Sequence, residues 1–368
     1  MNNSLGLYLH IPFCESKCSY CNFYSYKDDN ATLDRYTDTL CEHLKAAGER
    51  LNMSADTLYF GGGTPSLLGG DRIAELVVTA REYFGLEDAE IAVECNPADD
   101  LCDHFNLMTR AGVNRISLGV QSAVDLELKA LSRRHTFEDV KKAVHDAKQA
   151  GIHNISLDLM LGIPHQTMDS LLYSLEQLLS LEPTHISSYM LKIESGTPFG
   201  KSDIKALCLP DEDAVSDMYL FISEYLSQHG FEHYEISNFA KAGFRSNHNT
   251  KYWQCKEYLG LGPSAHSYLS GKRFYFESNT KKYMDFPIVV NDGLGGQFEE
   301  YVMLKLRLSD GISLSELSGL YGSVKAKSLF IKAEKLKSSG LIKLDSDRLS
   351  LTVQGFLVSN VVIGELLF

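Results

Sequence analysis

Short apolar runs alternate with longer amphipathic segments from the first strand to about residue 230, and this alternation limits the possible fold more than any other feature. The apolar runs have the length and composition of strands that are buried in a parallel sheet. Such strands, alternating with helices, form right-handed crossovers in an open sheet or in a full or partial barrel. We predict six strand and helix units, with strands at residues 5–11, 57–60, 90–94, 115–120, 155–160 and 185–191, and helices at residues 33–51, 71–84, 100–111, 137–150, 168–181 and 211–229.

Cysteine, glycine and polar residues follow the ends of several predicted strands. Three cysteines follow the first strand, Gly61-Gly62-Gly63-Thr64-Pro65 follows the second, Glu94 and Gln121 end the third and fourth, and Asp158 lies in the fifth. Folds of this kind bind ligands at the carboxyl ends of their strands. Glycines there let a ligand approach the backbone. We predict one ligand site at this edge, although each feature alone is also typical of a tight turn, a helix cap or a satisfied buried acid.

Cys14, Cys18 and Cys21 form a CxxxCxxC motif, whereas the other cysteines of the chain are scattered. Thiolates at this spacing bind iron–sulfur clusters or zinc. A closed zinc site or a ferredoxin cluster normally has four protein ligands, so three cysteines favour a cluster with one open iron. Two alternatives remain: a zinc site completed by a distant ligand such as His10, and three buried thiols without a metal.

The composition excludes several classes of protein. The chain has 368 residues, a net charge of -13 and 44% hydrophobic residues. This length predicts one large domain and one smaller one. The negative charge argues against binding to nucleic acid or to an anionic membrane surface. Because the sequence shows neither a signal-peptide pattern nor an apolar stretch of about 18 residues, we expect a cytoplasmic protein without a membrane span.

The cysteine motif and its surroundings resemble the radical S-adenosylmethionine (SAM) superfamily. Residues 8–13, Tyr-Leu-His-Ile-Pro-Phe, precede the cysteines, and GGGTP follows the second strand. Residues 114–121, 131–135 and 158–167 resemble segments of oxygen-independent coproporphyrinogen III oxidase and its relatives. The resemblance implies a partial (β/α)6 radical SAM barrel, in which the three cysteines hold a 4Fe-4S cluster whose open iron binds SAM.

The same resemblance implies contacts with SAM, position by position. Tyr8, Gly62 and Glu94 correspond to contacts with the SAM that is bound to the cluster. A second SAM has a clear use only in the oxidase reaction. It would be contacted by Tyr20, Gly63, Thr64, Gln121, Arg133 and Asp158.

Two departures separate the chain from the oxidase. The oxidase has a further cysteine two residues after the third one, where this chain has Phe23, and it carries an N-terminal extension that is missing here. Residues 248–253, His-Asn-Thr-Lys-Tyr-Trp, and residues 258–267 instead resemble the HemW family of heme chaperones. These departures favour a chaperone over an enzyme of heme biosynthesis.

The resemblance to heme chaperones implies that His248, Tyr252 and Trp253 contact heme. An imidazole can be an axial ligand of heme iron, and aromatic rings offer a face on which a porphyrin stacks. Cys255 is a rival ligand. The implied partners are heme, an acceptor hemoprotein such as a respiratory enzyme, and a reductant for the cluster, and a homodimer is left open.

We predict two domains. Residues 1–290 form the barrel, with a heme-motif extension over about residues 231–290, and residues 291–368 form a HemN-type C-terminal domain. The predicted element order of this second domain is mainly helical and winged-helix-like. From Glu299 onward it has nine Lys and Arg against eight Asp and Glu, so it lacks the charge of a DNA-binding module.

The function predicted from the sequence is that of a radical SAM-type heme chaperone that binds a 4Fe-4S cluster, SAM and heme. One alternative is the oxygen-independent coproporphyrinogen III oxidase, an enzyme of oxidative decarboxylation. Another is a structural zinc protein without a redox role.

Overall fold

Six parallel strands form the centre of the sheet in the computed structural model, which describes residues 4–368. Each strand pairs in parallel with the next one along the chain. They are β1 (Leu5–Ile11), β2 (Ala55–Gly62), β3 (Glu90–Cys95), β4 (Arg115–Gln121), β5 (Asn154–Leu161) and β6 (His185–Met190). The predicted alternation is therefore confirmed.

Helices follow these strands along the chain. They are α1 (Asn30–Leu51), α2 (Gly70–Phe84), α3 (Cys102–Ala111), α4 (Asp125–Ala130), α5 (Phe137–Gln149), α6 (Met168–Ser180), α7 (Pro198–Lys201) and α8 (Glu212–Gln228). Capping side chains stabilise the first turns of several helices. For example, Asp29 accepts a hydrogen bond from the amide of Thr32 at the start of α1, and Asp211 accepts one from the amide of Ala214 at the start of α8. The short helices α4 and α7 were not predicted.

The chain next extends the sheet at both edges. The added elements are β7 (Glu232–Glu235), β8 (Asn238–Ala240), α9 (Asn247–Trp253), β9 (Tyr258–Leu261), β10 (His266–Leu269), β11 (Lys272–Phe276), α10 (Thr280–Asp285) and β12 (Val289–Leu294). β8 pairs with β6, whereas β9 pairs in parallel with β1. In the described residues the sheet order is β12-β11-β10-β9-β1-β2-β3-β4-β5-β6-β8-β7. The barrel is thus partial, and α9 carries the chain from one edge to the other.

The C-terminal residues form a smaller unit with its own three-stranded sheet, in the order β13-β15-β14. Its elements are α11 (Phe298–Lys305), β13 (Ile312–Ser313), α12 (Leu314–Tyr321), α13 (Ser323–Leu336), β14 (Ile342–Leu344), β15 (Arg348–Leu351), α14 (Val353–Leu357) and α15 (Ser359–Leu367). The predicted helical region is present, and the two-residue strand β13 is an addition to the predicted order.

Backbone hydrogen bonds join this unit to the edge of the large sheet. The amide of Ile236 donates to the carbonyl of Arg307 at 3.2 Å, and the amide of Ser309 donates to the carbonyl of Tyr234 at 2.9 Å. The Arg245 guanidinium pairs with Asp310 across the same junction at 2.8 Å. The two parts of the chain therefore share a strand-like seam rather than a free linker.

Over residues 4–368, the helices are all too short or too polar to cross a membrane.

Candidate functional site

A cavity of about 720 Å³ runs through the partial barrel. At the carboxyl ends of the strands it is lined by the three cysteines of the loop between β1 and α1. It continues to the first residues of β4 and β6, Arg115 and His185. A cavity of this size accommodates an organic cofactor.

Backbone hydrogen bonds between residues close in sequence hold the cysteine loop in place. The Cys14 amide donates to the Tyr26 carbonyl at 2.9 Å, and the Cys21 amide donates to the Cys18 carbonyl at 3.1 Å. The Cys14 sulfur lies 3.5 Å from the hydroxyl of Thr64. Within the described residues, no three His, Cys, Asp or Glu side chains surround a single metal-ion position. Cysteines that hold a 4Fe-4S cluster bind different irons, so their sulfurs do not converge on one point.

The glycine segment after β2 lies against this loop. Gly62 has a φ of +116°, and a Cβ there would come within 2.5 Å of the His10 ring. A Cβ on Gly63 would be 2.5 Å from the carbonyl oxygen of Phe13. Glycine is therefore required at both positions for the backbone to pass the cysteine loop so closely.

Glu94 stands at the end of β3 with two donors aimed at its carboxylate. The Tyr59 hydroxyl donates to one oxygen at 2.9 Å, and the Gly62 amide donates to the other at 3.2 Å. Burial raises the pKa of Glu94 to about 7, while these two hydrogen bonds act in the opposite direction. Among residues 4–368 no cation lies beside this carboxylate, which faces the cavity. The site therefore suits a ligand that brings hydroxyl or ammonium donors.

Asp158, Gln121 and Arg133 also line the cavity. Asp158 accepts from the Ser117 hydroxyl at 2.9 Å, and burial raises its pKa to about 6. Gln121 has a φ of +71°, an unfavourable conformation for a residue other than glycine. Arg133 donates to the Cys18 sulfur at 3.5 Å.

Two of these side chains have buried atoms with no hydrogen-bond partner in the described part of the chain, Oε1 of Gln121 and Nε of Arg133. Buried polar atoms normally have a hydrogen-bond partner. An unpaired donor and an unpaired acceptor in the wall of one cavity fit a polar ligand such as a nucleoside. The donor set, three thiolates beside a polar cavity, fits an iron–sulfur cluster with SAM.

The two predicted tyrosines are also in place. Tyr8 and Tyr20 line the cavity. Tyr8 lies on β1, with its hydroxyl 3.0 Å from Nδ1 of His10. Tyr20 packs against the apolar cluster of Leu131 and Met160. Every residue predicted to contact the cluster or SAM therefore lines this cavity, Gly63 and Thr64 included.

The predicted heme contacts lie at the opposite ends of the strands. Helix α9 is anchored to the start of β3, since the amides of Asn247 and His248 donate to the Glu90 carboxylate. His248 is 1% exposed. Its Nδ1 is 2.8 Å from the hydroxyl of Thr57 and its Nε2 is 2.7 Å from the hydroxyl of Tyr252. Burial lowers its pKa to about 3.

The His248 ring belongs to an aromatic stack inside the barrel. It lies parallel to Tyr59 at 5.1 Å and to Tyr8 at 6.4 Å, both measured between ring centroids. Trp253 points away to the C-terminal unit, where Arg307 covers its ring at 4.6 Å. The sequence motif is thus split between the barrel interior and the domain seam.

Tyr59 and Thr57 were not identified from the sequence. They occupy alternate positions of β2, and that alternation is the signal by which inward-facing residues of a strand can be found. The predicted run at residues 57–60 was treated as uniformly apolar, so its polar inner face was missed. Cys255 is half-buried and is not among the residues that line the cavity.

Comparisons with known proteins agree with this geometry. The Radical SAM superfamily model matches residues 8–178, and the HemN C-terminal domain model matches residues 297–358. Coproporphyrinogen III oxidase (HemN) from Escherichia coli, described as a radical SAM enzyme, superposes with a TM-score of 0.84 at 21% identity, over 99% of this chain and 90% of that chain. This likeness shows the fold. Fold and site together define a radical SAM protein.

Heme chaperone HemW of Bacillus subtilis is 35% identical over 375 residues, 98% of each chain. Heme chaperone HemW of Escherichia coli is 39% identical over 265 residues, which cover 71% of this chain and 69% of the relative. The chain belongs to the HemW family of heme chaperones, as the sequence motifs predicted.

Proposed function

We propose that this protein binds heme and delivers it to an acceptor hemoprotein, with a 4Fe-4S cluster and SAM bound in the barrel. The observation that carries the proposal is similarity to a heme chaperone over 98% of the chain. The proposed partners are an apo-hemoprotein, for example a respiratory enzyme, and a reductant for the cluster.

Cys14, Cys18 and Cys21 are the proposed cluster ligands. The bound cluster and SAM would supply one-electron chemistry. The protein's part is to hold the nucleoside and exclude water. We assign the binding of SAM to the Gly62 backbone and the Glu94 carboxylate, because both face the cavity beside the cysteine loop.

The binding of a second SAM is a separate proposal. Its predicted contacts line the same cavity, and the unpaired atoms of Gln121 and Arg133 would gain partners from it. We assign it no role in heme delivery.

His248 remains the proposed heme ligand of α9, on the condition that α9 moves. Both ring nitrogens have partners in the barrel, so iron can bind only after the bond to Thr57 or to Tyr252 is broken. Its low pKa keeps the imidazole neutral, which is the form that binds iron.

Heme titration of the cluster-reconstituted protein tests this assignment. We expect wild type to bind heme, His248→Ala to change the absorption spectrum of the bound heme, and Cys14→Ala to leave that spectrum unchanged while losing the cluster. An unchanged spectrum in His248→Ala would exclude His248 as ligand. Transfer from the loaded protein to an apo-hemoprotein then tests delivery.

An anaerobic assay with coproporphyrinogen III separates the chaperone from the oxidase. We expect no protoporphyrinogen IX at a useful rate, and efficient conversion would contradict the proposal. Iron and sulfide analysis of the same sample tests for the 4Fe-4S cluster. Zinc in place of iron would contradict the proposed cluster.

A further inference from the structure

Lysines are concentrated in one segment of an otherwise acidic chain. Residues 323–343 contain six lysines and a single acidic residue, Glu334, whereas the whole chain has a net charge of -13. Four of these lysines lie on α13, the longest helix of the C-terminal unit. The negative chain therefore carries a basic helix on its smaller unit.

Helix α13 has one buried face and one exposed face. Its buried residues are Ala326, Leu329 and Ala333. On the opposite face Val324 is 85% exposed and Ile331 is 64% exposed, and Lys327 and Lys335 are exposed as well. Spacings of three and four residues place these four side chains along one side of the helix. We call Val324, Lys327, Ile331 and Lys335 the outer stripe of α13.

The lysines of the outer stripe are available to a ligand. Within residues 4–368, neither Lys327 nor Lys335 forms an ion pair, whereas the nearby Lys337 pairs with Glu334 at 3.4 Å. Both members of that pair are more than half exposed, so the pair is weak. The stripe thus combines unpaired positive charge with exposed apolar side chains.

This combination favours one kind of partner over two others. Lysine is depleted in the cores of protein–protein interfaces. A nucleic acid would bind the lysines through its phosphates, but it would leave Val324 and Ile331 without an extended apolar surface to contact. A helix that lies on an anionic membrane has both lysines and inserted apolar residues on its contact side.

We propose that the outer stripe of α13 docks on an anionic phospholipid surface. Lys327 and Lys335 contact the phosphate headgroups, and Val324 and Ile331 insert at the boundary between the headgroups and the acyl chains. The net charge of the whole chain opposes such binding. Charges that lie more than about 8 Å from the headgroups are largely screened at physiological ionic strength, so the lysines at the surface determine the interaction.

The test is cosedimentation of the full-length, cluster-reconstituted protein with lipid vesicles. We expect the protein to bind vesicles of phosphatidylglycerol and phosphatidylcholine, and to bind vesicles of phosphatidylcholine alone at least about tenfold more weakly, because only the first kind attracts lysines. Binding to the anionic vesicles should weaken as salt increases. The inference is independent of the proposed function, since this binding requires neither heme nor SAM.

Two double variants separate the charged from the apolar contacts. Lys327→Gln with Lys335→Gln should lower the partition coefficient on anionic vesicles at least about fivefold at low salt, and less at high salt. Val324→Ser with Ile331→Ser should lower it about tenfold, since two inserted side chains are lost. This second effect should persist at high salt.

Matched controls change the same residue types on the barrel. Lys45→Gln with Lys281→Gln removes two exposed lysines of α1 and α10. Val78→Ser with Ile204→Ser removes two apolar residues that are 54% and 60% exposed. Both control proteins should bind anionic vesicles as wild type does. Cluster absorption and circular dichroism show whether each variant is folded.

Wild-type protein that fails to bind anionic vesicles at low salt would overturn the proposal. Wild-type partition coefficients in both α13 variants would also overturn it, because the protein would then bind through another surface. Binding of wild type to duplex DNA, without binding to vesicles, would assign the basic helix to nucleic acid instead. A heme titration of the same wild-type sample decides the proposed function separately.

Discussion

Glu94 shows at the scale of one residue how the barrel prepares a ligand contact. Its carboxylate is buried among neutral donors, the hydroxyl of Tyr59 and the amide of Gly62. Burial raises the pKa of Glu94 to about 7. The sequence indicated a carboxylate at the end of a strand, but not its donors, because these come from β2.

The pKa of Glu94 predicts a pH-dependent affinity for SAM. Ligand hydroxyl or ammonium donors bind the ionised carboxylate, so the affinity should increase from about pH 6 to about pH 8. Glu94→Gln should abolish this increase and weaken binding about tenfold at the higher pH. Equilibrium dialysis on cluster-loaded protein measures both effects. The exposed Glu82→Gln is the control, and equal pH dependence in all three proteins would refute the role of Glu94.

His248 predicts an effect of pH on stability. In the unfolded chain a histidine takes up a proton near pH 6.5, whereas in the fold its pKa is lowered to about 3. The unfolded state therefore binds more protons between these values, and the free energy of unfolding falls as pH decreases through this window. His248→Gln should reduce the slope by up to about 1.4 kcal/mol per pH unit.

Urea unfolding at several pH values between about 4 and 6 measures that slope. The exposed His229→Gln serves as control. A slope in His248→Gln that equals the wild-type slope would mean that another buried group dominates the acid response.

At the scale of elements, the end of β2 depends on glycine for two different reasons. Gly62 has both a positive φ and the His10 ring where a Cβ would lie, whereas Gly85, which ends α2 with a φ of +73°, has open space around it. Substitutions at Gly62 and Gly85 therefore distinguish the cost of backbone strain, which both share, from the cost of steric overlap, which only Gly62 has.

We expect Gly85→Ala to lower the free energy of unfolding by about 1 kcal/mol, the cost of a left-handed conformation. Gly62→Ala should lower it by at least about twice as much and should also reduce iron content and SAM affinity, since the His10 ring must move. Urea unfolding and iron analysis check these outcomes. Equal losses in the two variants would show that the overlap at Gly62 is relieved without cost.

The elements that could be predicted are those with local signals. The six parallel strands lie in mostly apolar runs of sequence, and their ends agree with the prediction within two residues. Strands β7 to β12 were missed, because most of them have only three to five residues and are stabilised by neighbours distant in sequence. The position of α9 was missed for the same reason, since its partners Thr57 and Glu90 lie on strands far earlier in the chain.

The whole molecule is joined by the seam between β7 and the residues after α11. Its polar contacts include the Arg245 guanidinium with Asp310, and its aromatic contact is Arg307 over Trp253. The sequence predicted a second domain but not this seam, because nothing local marks residues 307–309 as partners of residues 234–236.

A chain ending at residue 290 should therefore be less stable than the full chain. It loses the backbone bonds to Tyr234 and Ile236 and uncovers Trp253. We expect a lower urea midpoint and an emission of Trp253, the one tryptophan of the chain, at longer wavelength. Full-length Arg307→Met is the comparison that removes only the cation. An unchanged midpoint in the shortened chain would show that the barrel does not depend on the seam.

The placement of β9 beside β1 has a consequence for synthesis on the ribosome. β1 is the first strand made, and its second neighbour is Tyr258–Leu261, about 250 residues later. At about 5–20 residues per second, one edge of β1 stays open for roughly 10 to 50 s. The cysteine loop follows that open edge directly, so nascent thiolates are exposed to metals and oxidants before the pocket that protects them is complete.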